Sequence, residues 1–580
     1  MRHTPIKLLQ RHRLNIIVIF LYFIFTLIFT FPLVLHFSTA TPLADGSLDQ
    51  FQSMWMFWWF KTALFELHTN PLSTDFMYYP QGTSLIYHMS LFLGLLALSF
   101  QCLFASPDNL VIGHNVILIF TFVLSGLGAY LLTKYLVKDT VTAFICGLLF
   151  AFCPYRLWHL NHLNLLSTQW IPFYMLYLMK SVDGRSLKDS LWAGVFLIFT
   201  FLSSLTYILF LAFFTLIYFL YQLMKSRKRI FNKRLIKNSA IALLIVIIIL
   251  SPVLYGLYSS KIDWEPSLEA SSRYSANLLG YLLPIQERSL LGSHFLPSRW
   301  DYHGIAGGEL FLGYVLLFFM AYTWIKFPKK KIKLWFFSSM VFLLLSLGHS
   351  IHIHGHSYYF KWLPYSLLYT YLPFLQIGRT PCRFSVMVTL CMIIFSSYGL
   401  AHFFASRKTQ NKIFSDVKNF FRGFLVRKGM PIVIVVLICL EFIVFPTTLI
   451  KVGIPECYEE VRNAKEEFAI FELPAFGVRS RLMCNVYLLY QTFHGKKLVN
   501  GSLTRPSYNS KDFLNEVFAI QDQAKPGTDM YAVVLEKLRE RNVKFIIVRE
   551  LQTPLKLKKG DMGSAILEED PLRIGVFQVF

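Results

Sequence analysis

Over the first 450 residues the hydrophobic positions neither alternate nor form one-sided helical stripes. They come in blocks near 14–37, 86–105, 110–133, 141–154, 163–179, 190–205, 206–224, 238–257, 308–327, 334–349, 384–404 and 431–450. Most approach the ~20 residues that carry an α-helix across ~30 Å of hydrocarbon. Every face of a block is apolar, which predicts helices surrounded by lipid or by one another. From residue 451 the pattern changes: Ala469–Leu473, Lys544–Val548 and Ile574–Val579 read as buried strands, and Tyr531–Arg541 as an amphipathic helix. The predicted fold class is an α-helical polytopic membrane protein, with a membrane domain over 1–450 and a small soluble α/β domain over 451–580.

Composition agrees with that division. The chain has 580 residues, 55% of them hydrophobic and only 15% charged, too few charges to clothe a soluble protein of this size. A net charge of +23 invites a nucleic-acid reading, but the basic residues sit in short clusters between apolar blocks, where positive charge retains loops in the cytoplasm. Nucleic acid is therefore not an expected partner.

Charge also selects a topology. If the 86–105 block does not cross, the segments 1–13, 134–138, 180–188, 225–237, 326–333 and 407–428 share one side and carry 28 Lys and Arg, against nine in the opposite loops. That bias predicts eleven spans, with the N-terminus cytoplasmic and the C-terminal domain extracytoplasmic. The 86–105 block becomes a re-entrant or interfacial part of a large first outside loop, 38–109. A twelve-span alternative would place Lys225–Lys237 outside. The basic segment Met1–Arg13 precedes an apolar run too long for a cleaved signal.

The eight cysteines form no CxxC and no metal-ligand spacing. Cys457 and Cys484 fall in the C-terminal domain and could pair in an oxidising compartment. There is no Walker loop, GxGxxG, GxSxG or HExxH, so nothing points to a nucleotide-driven pump.

Candidate chemistry gathers on the outside face. Asp45 and Asp49 follow the first span and precede a run rich in Trp and Phe, including Trp55, Trp58 and Trp59, which suits a helix lying in the membrane interface. A carboxylate held there can activate an acceptor hydroxyl or hold a divalent metal. Asp49 could equally cap its helix. Arg156, His159 and His162, with Gln169 beyond them, form a second cluster, and Arg379 and Arg383 flank a third. The planar guanidinium fork suits phosphate, with snorkelling to headgroups as the plainer alternative. Glu309, and Asp301 with His303, stand at the start of a span, whereas Glu441 lies deeper and could be paired inside the bundle. His352, His354 and His356 would share one face of a strand, as metal ligands do, but without a carboxylate or cysteine nearby. Tyr487, Gln491 and His494 could form a sugar-binding surface or a buried structural motif.

Three segments carry a resemblance: the Asp/Trp-rich loop ending in YYPQGTSL, the stretch FAFCPYRLWHLNHLNLLSTQWIPFY, and RTPCRF. With the C-terminal FELP and YQTFHGKKLVNGSLTRP, they resemble a bacterial group of GT-C-like membrane glycosyltransferases. The resemblance implies transfer of a sugar from a polyprenyl-phosphate donor to an envelope glycan, lipid or protein acceptor on the outer face of the bacterial inner membrane, usually with inversion. On that pattern Asp45 or Asp49 activates the acceptor, and Arg379, Arg383 and Arg156 hold the donor phosphate. The DxxxD spacing departs from the adjacent acidic pair of better-known members, so base and metal ligand are not distinguished. Two other classes stay open: a lipid-linked-glycan flippase or transporter, and a non-catalytic envelope assembly protein. The absence of an internal repeat counts against a transporter.

Overall fold

The structure, a computed structural model, describes residues 5–44, 46–103, 109–260, 268–284, 310–353, 356–372, 376, 378, 380–410, 429–473, 478–523, 530–549, 566–567 and 574–578. Each of the twelve apolar blocks carries a helix. In order they are Pro5–Phe29, Leu91–Leu103, Asn109–Val137, Thr140–Ala151, Trp170–Gly184, Leu187–Ser203, Leu205–Lys225, Lys233–Ser259, Tyr314–Lys326, Lys329–Ser346, Ser385–Gln410 and Met430–Phe442. Among the described residues five helices are long and apolar enough to cross a membrane. This is a helical, multi-pass membrane protein.

Burial separates inner from outer helices. The apolar stretch of Pro381–Ser406 is 89% buried against other helices, that of Lys233–Ser259 only 17%. The first is the bundle's axis and the second faces lipid. Close approach depends on small residues. Tyr22 stacks on Phe144 at 5.2 Å and donates to the Phe144 carbonyl at 2.9 Å, in a slot where a Cβ on Gly147 would meet the Tyr22 hydroxyl. Glu441 does find a partner within the bundle: its carboxylate accepts the Val315 N–H at 3.0 Å, at the start of the Tyr314–Lys326 helix.

The helix of the 86–105 block, Leu91–Leu103, has 13 residues, about 20 Å of rise against ~30 Å of hydrocarbon. It packs on Asp49–Lys61, Asn109–Val137 and Leu187–Ser203. Four of the six basic segments, 134–138, 180–188, 225–237 and 326–333, converge at one end of the bundle, where Lys225, Arg229, Lys330 and Lys331 border a single cavity. The segments read as outside converge at the other end, around Asp49, His162 and Arg383.

One sheet joins the two chain ends of the membrane bundle, and a second is built within the C-terminal region. Ala40–Pro42, just past the first helix, pairs antiparallel with Leu449–Lys451, just past the last apolar one. Ile566–Leu567 adds to it in parallel. Ala469–Leu473 lies between Lys497–Leu498 and Val543–Arg549, parallel to both, and Ile574–Gln578 closes the far edge antiparallel.

The Trp-rich helix Asp49–Lys61 turns two of its three indoles into protein. Trp55 and Trp59 are 0% and 2% exposed, because the helix is clamped between Leu91–Leu103 and the C-terminal helix Val478–His494. The indole N–H groups bond to protein: Trp55 donates to Gln491 Oε1 at 2.6 Å and Trp59 to the Pro71 carbonyl at 3.1 Å. These indoles form a core between membrane bundle and C-terminal region.

The same clamp joins two quoted motifs. In YYPQGTSL the backbone N–H groups of Tyr78 and Tyr79 donate to the carbonyls of Asn500 and Leu498 at 3.0 and 2.9 Å. Ser507 N–H donates to Thr83 Oγ1 at 3.0 Å, and the Ser510 hydroxyl to the Gly82 carbonyl at 2.7 Å. A Cβ on Gly501 would collide with the Tyr78 ring, so glycine is needed where the strands cross. Tyr487, Gln491 and His494 are buried inside this junction. They make a structural motif, not a sugar-binding surface.

Candidate active site

A cavity of about 530 Å³ opens where the first loop, the 153–169 loop, the RTPCRF segment and the C-terminal region meet. The 153–169 loop is set by its own sequence. Pro154 starts the short helix Pro154–Trp158, and Arg156, 0% exposed, holds the loop in place from beneath. Its guanidinium donates to the carbonyls of Ala151 at 2.9 Å and Leu166 at 2.5 Å and to Thr168 Oγ1 at 2.5 Å, and stacks on Phe122. Arg156 therefore has no access to a donor phosphate, and that expected role is withdrawn: its hydrogen-bond donors tie a re-entering backbone. His159 is also buried, with Nδ1 2.7 Å from the Tyr155 carbonyl. Gln169 is fully buried away from the cavity. Neither gives a substrate contact.

His162 reaches the cavity. Its Nδ1 lies 3.0 Å from Asp49 Oδ2, and its Nε2 lies 3.3 Å from Ser47 Oγ. An ionised Asp49 only accepts, so Nδ1 carries the proton and Nε2 faces the serine. Asn161 donates to Ser47 Oγ at 2.7 Å and to its carbonyl at 2.8 Å, which fixes this corner. The order Ser–His–Asp matches a nucleophilic triad, but Ser47 does not border the cavity. Ser47 therefore orients the imidazole, and the reactive edge of the cluster is the Asp49–His162 pair.

Asp49 does not cap its helix. The N-cap position is Leu48, without a side-chain cap, and the second carboxylate oxygen accepts from Asn485 Nδ2 at 3.0 Å. Ser502 in turn donates to Asn485 Oδ1 at 2.5 Å. The acid thus joins membrane loops to the C-terminal region, and its position in the first helical turn favours its negative charge.

Across the cavity stands Arg383, preceding the axial helix. Its Nε is buried and has no hydrogen-bond partner among the described residues. Arg505, from NGSLTRP, borders the cavity as well, and its N–H donates to His88 Nε2 at 3.2 Å. Sequence reasoning missed Asn485, His88 and Arg505 as site residues; the only signal for Arg505 was its place in a quoted motif. The flank between acid and arginines is apolar, with Leu205, Leu209, Leu254 and Leu257, the last two on the lipid-facing helix.

Asp45, Glu309 and Arg379, with Asp301, His303 and His354, lie outside the described residues. The histidine segment forms a hairpin, Ser350–Ile353 with His356–Tyr359, which places His352 opposite Ser357. The His352 ring bonds to the Ser272 carbonyl and the Ser357 hydroxyl. Among the described residues no three His, Cys, Asp or Glu side chains gather around one ion position. Asp49 is the one carboxylate among the described residues lining the cavity, so the described donor set makes no metal site there and no step is derived through one.

The model of the family described as "Domain of unknown function (DUF6311)" matches residues 18–413, more than half of the chain. The chain belongs to the DUF6311 family. The DUF6311 match contains Asp49, His162 and Arg383, whereas Asn485 and Arg505 lie beyond it. No curated protein matches the chain in sequence. Among solved structures, an oligosaccharyltransferase of Archaeoglobus fulgidus tethered with an acceptor peptide is similar at 12% identity and a TM-score of 0.48, over 92% of this chain and 68% of the other. The archaeal oligosaccharyltransferase AglB from Archaeoglobus fulgidus, in complex with an inhibitory peptide and a dolichol-phosphate, is similar at 13% identity and a TM-score of 0.47, over 92% and 69%.

Proposed function

We propose that this cavity transfers a sugar from a polyprenyl-phosphate donor to a hydroxyl acceptor of an envelope glycan, lipid or protein, as the GT-C resemblance implies. One observation carries the reading. An acid–imidazole pair and an arginine whose buried Nε has no partner among the described residues line one cavity whose flank is apolar and borders the lipid-facing helix. A lipid-linked donor would lay its chain along Leu254 and Leu257 and its phosphate against Arg383 and Arg505. The acceptor oxygen attacks the anomeric carbon, its proton passes to the Asp49–His162 pair, and the bond from that carbon to the phosphate oxygen breaks. Positive charge at Arg383 stabilises the departing phosphate, so the leaving group needs no separate acid. A single displacement of this kind inverts the anomeric centre. The reading places the site on the extracytoplasmic face of a bacterial inner membrane and the basic end in the cytoplasm.

The test is transfer in membranes from radiolabelled polyprenyl-phosphate sugars to native envelope extract, comparing wild type with Asp49→Asn at matched expression. Transfer that falls about 100-fold or more in the variant supports the assignment. Equal transfer by both would remove Asp49 from the chemistry, and no transfer from any donor by wild type would sink the enzyme reading.

A further inference from the structure

A second cavity, of about 730 Å³, lies at the basic end of the bundle, among the helices Leu205–Lys225, Lys329–Ser346 and Ser385–Gln410. Its charges are unevenly satisfied. The acids are occupied: Asp139 accepts the Thr142 N–H at 2.8 Å as a helix cap, and Asp183 accepts from the Tyr135 hydroxyl at 2.5 Å and pairs with Arg229 at 3.3 Å. Lys225, Lys330 and Lys331 have no carboxylate partner among the described residues. Beneath them Gln222 is buried. Its Nε2 donates to the Tyr218 hydroxyl at 2.8 Å, while its Oε1 lies buried without a donor among the described residues.

We infer that this cavity binds a phosphate ester that also carries a free hydroxyl, with the lysines on the phosphate and Gln222 Oε1 accepting from the hydroxyl. Cations without partners at the level where helices leave the bilayer suit anionic headgroups. A buried acceptor without a donor is costly unless a ligand or water fills the place, and Tyr218 and Trp335 wall the floor. A phosphoglycerol headgroup satisfies both requirements, and so does soluble glycerol phosphate. The inference is independent of the glycosyltransferase reading, because the cavity lies at the opposite end from Asp49.

Native mass spectrometry of the full chain in mild detergent tests it, with phosphatidylglycerol, phosphatidic acid, phosphatidylethanolamine and glycerol 3-phosphate titrated separately. Wild type is expected to retain phosphatidylglycerol over phosphatidylethanolamine. The double variant Lys330→Glu, Lys331→Glu should lose about tenfold in occupancy, while Lys330→Arg, Lys331→Arg keeps it, which separates charge from folding. Gln222→Leu should weaken phosphatidylglycerol more than phosphatidic acid, whose headgroup has no glycerol hydroxyl. Saturable glycerol 3-phosphate binding with the same lysine dependence would identify the soluble source of the same chemistry. Equal retention of phosphatidylglycerol and phosphatidylethanolamine by wild type, or full phosphatidylglycerol retention by the charge-reversed variant, overturns the inference.

Discussion

The two ends of the helix bundle handle charge in opposite ways. At the Asp49 end acid and base are divided across a cavity. Asp49 is held by His162 and Asn485, and Arg383 lines the same cavity, its buried Nε without a partner among the described residues. At the other end Asp183 is paired and Asp139 caps a helix, and the lysines have no carboxylate partner among the described residues. Separated opposite charges suit the movement of a proton and of a leaving group, whereas a one-sided surplus suits holding an anion. The comparison teaches that net charge alone, +23 for the whole chain, does not say what either end does.

The comparison breaks first in transfer assays. Asp49→Asn should lower transfer 100- to 10,000-fold, and Arg383→Leu 100- to 1,000-fold. Lys330→Glu with Lys331→Glu should leave the rate of transfer unchanged. If the lysine variant is as damaged as Asp49→Asn, the two ends are not functionally separate.

Two arginines sharpen it next. Arg156→Leu should destabilise the detergent-solubilised protein by about 3 kcal/mol, since buried carbonyls and Thr168 lose their donors. Arg383→Leu should change thermal stability by less than about 0.5 kcal/mol while lowering transfer about 100- to 1,000-fold. A stability loss in the second variant as large as in the first would make Arg383 structural as well.

A pH series tests the C-terminal clamp. His494 is buried beside Lys496, and burial foremost, then that charge, holds its imidazole down to about 3 against an ordinary value near 6.5. Below 6.5 the unfolded chain takes up a proton that the folded clamp refuses. Stability is therefore complete above pH 6.5 and falls as pH drops towards 3, by about 1.4 kcal/mol per unit. Urea titrations of the full chain, read by proteolytic release of the C-terminal region, should show this slope in wild type and lose it in His494→Gln. The smallest effect is expected at Asn485→Ala, where one hydrogen bond to Asp49 is lost. There kcat should fall about three- to tenfold with KM unchanged, and a change in KM alone would deny it a role in positioning the acid.

Much of this architecture was legible in the sequence because it rests on local pattern. Runs that are apolar on all faces mark the twelve helices, and the spacing of Lys and Arg groups the segments that meet at each end. The strand reading at Ala469–Leu473 works for the same reason, since a short apolar run between polar turns has few other fates. The site was only half legible. Asp49, His162 and Arg383 could be singled out by residue type, but Arg156 looked the same as Arg383, because sequence gives a guanidinium and not its burial. The burial of Trp55 was not legible, because an indole suits both a membrane interface and a protein core, and the partner that holds it, Gln491, is 436 positions away. Asn485 and Arg505 were out of reach for the same reason.

The seam between YYPQGTSL and the NGSLTRP segment also has a meaning in time. Its halves stand more than 400 positions apart, and synthesis proceeds at about 5–20 residues per second, so the first half waits roughly 20–80 s for the second to be made. Every span is threaded before the seam can close, and Asp49 meets Asn485 only after that. The nascent protein thus completes its insertion with the Asp49 cavity still unassembled.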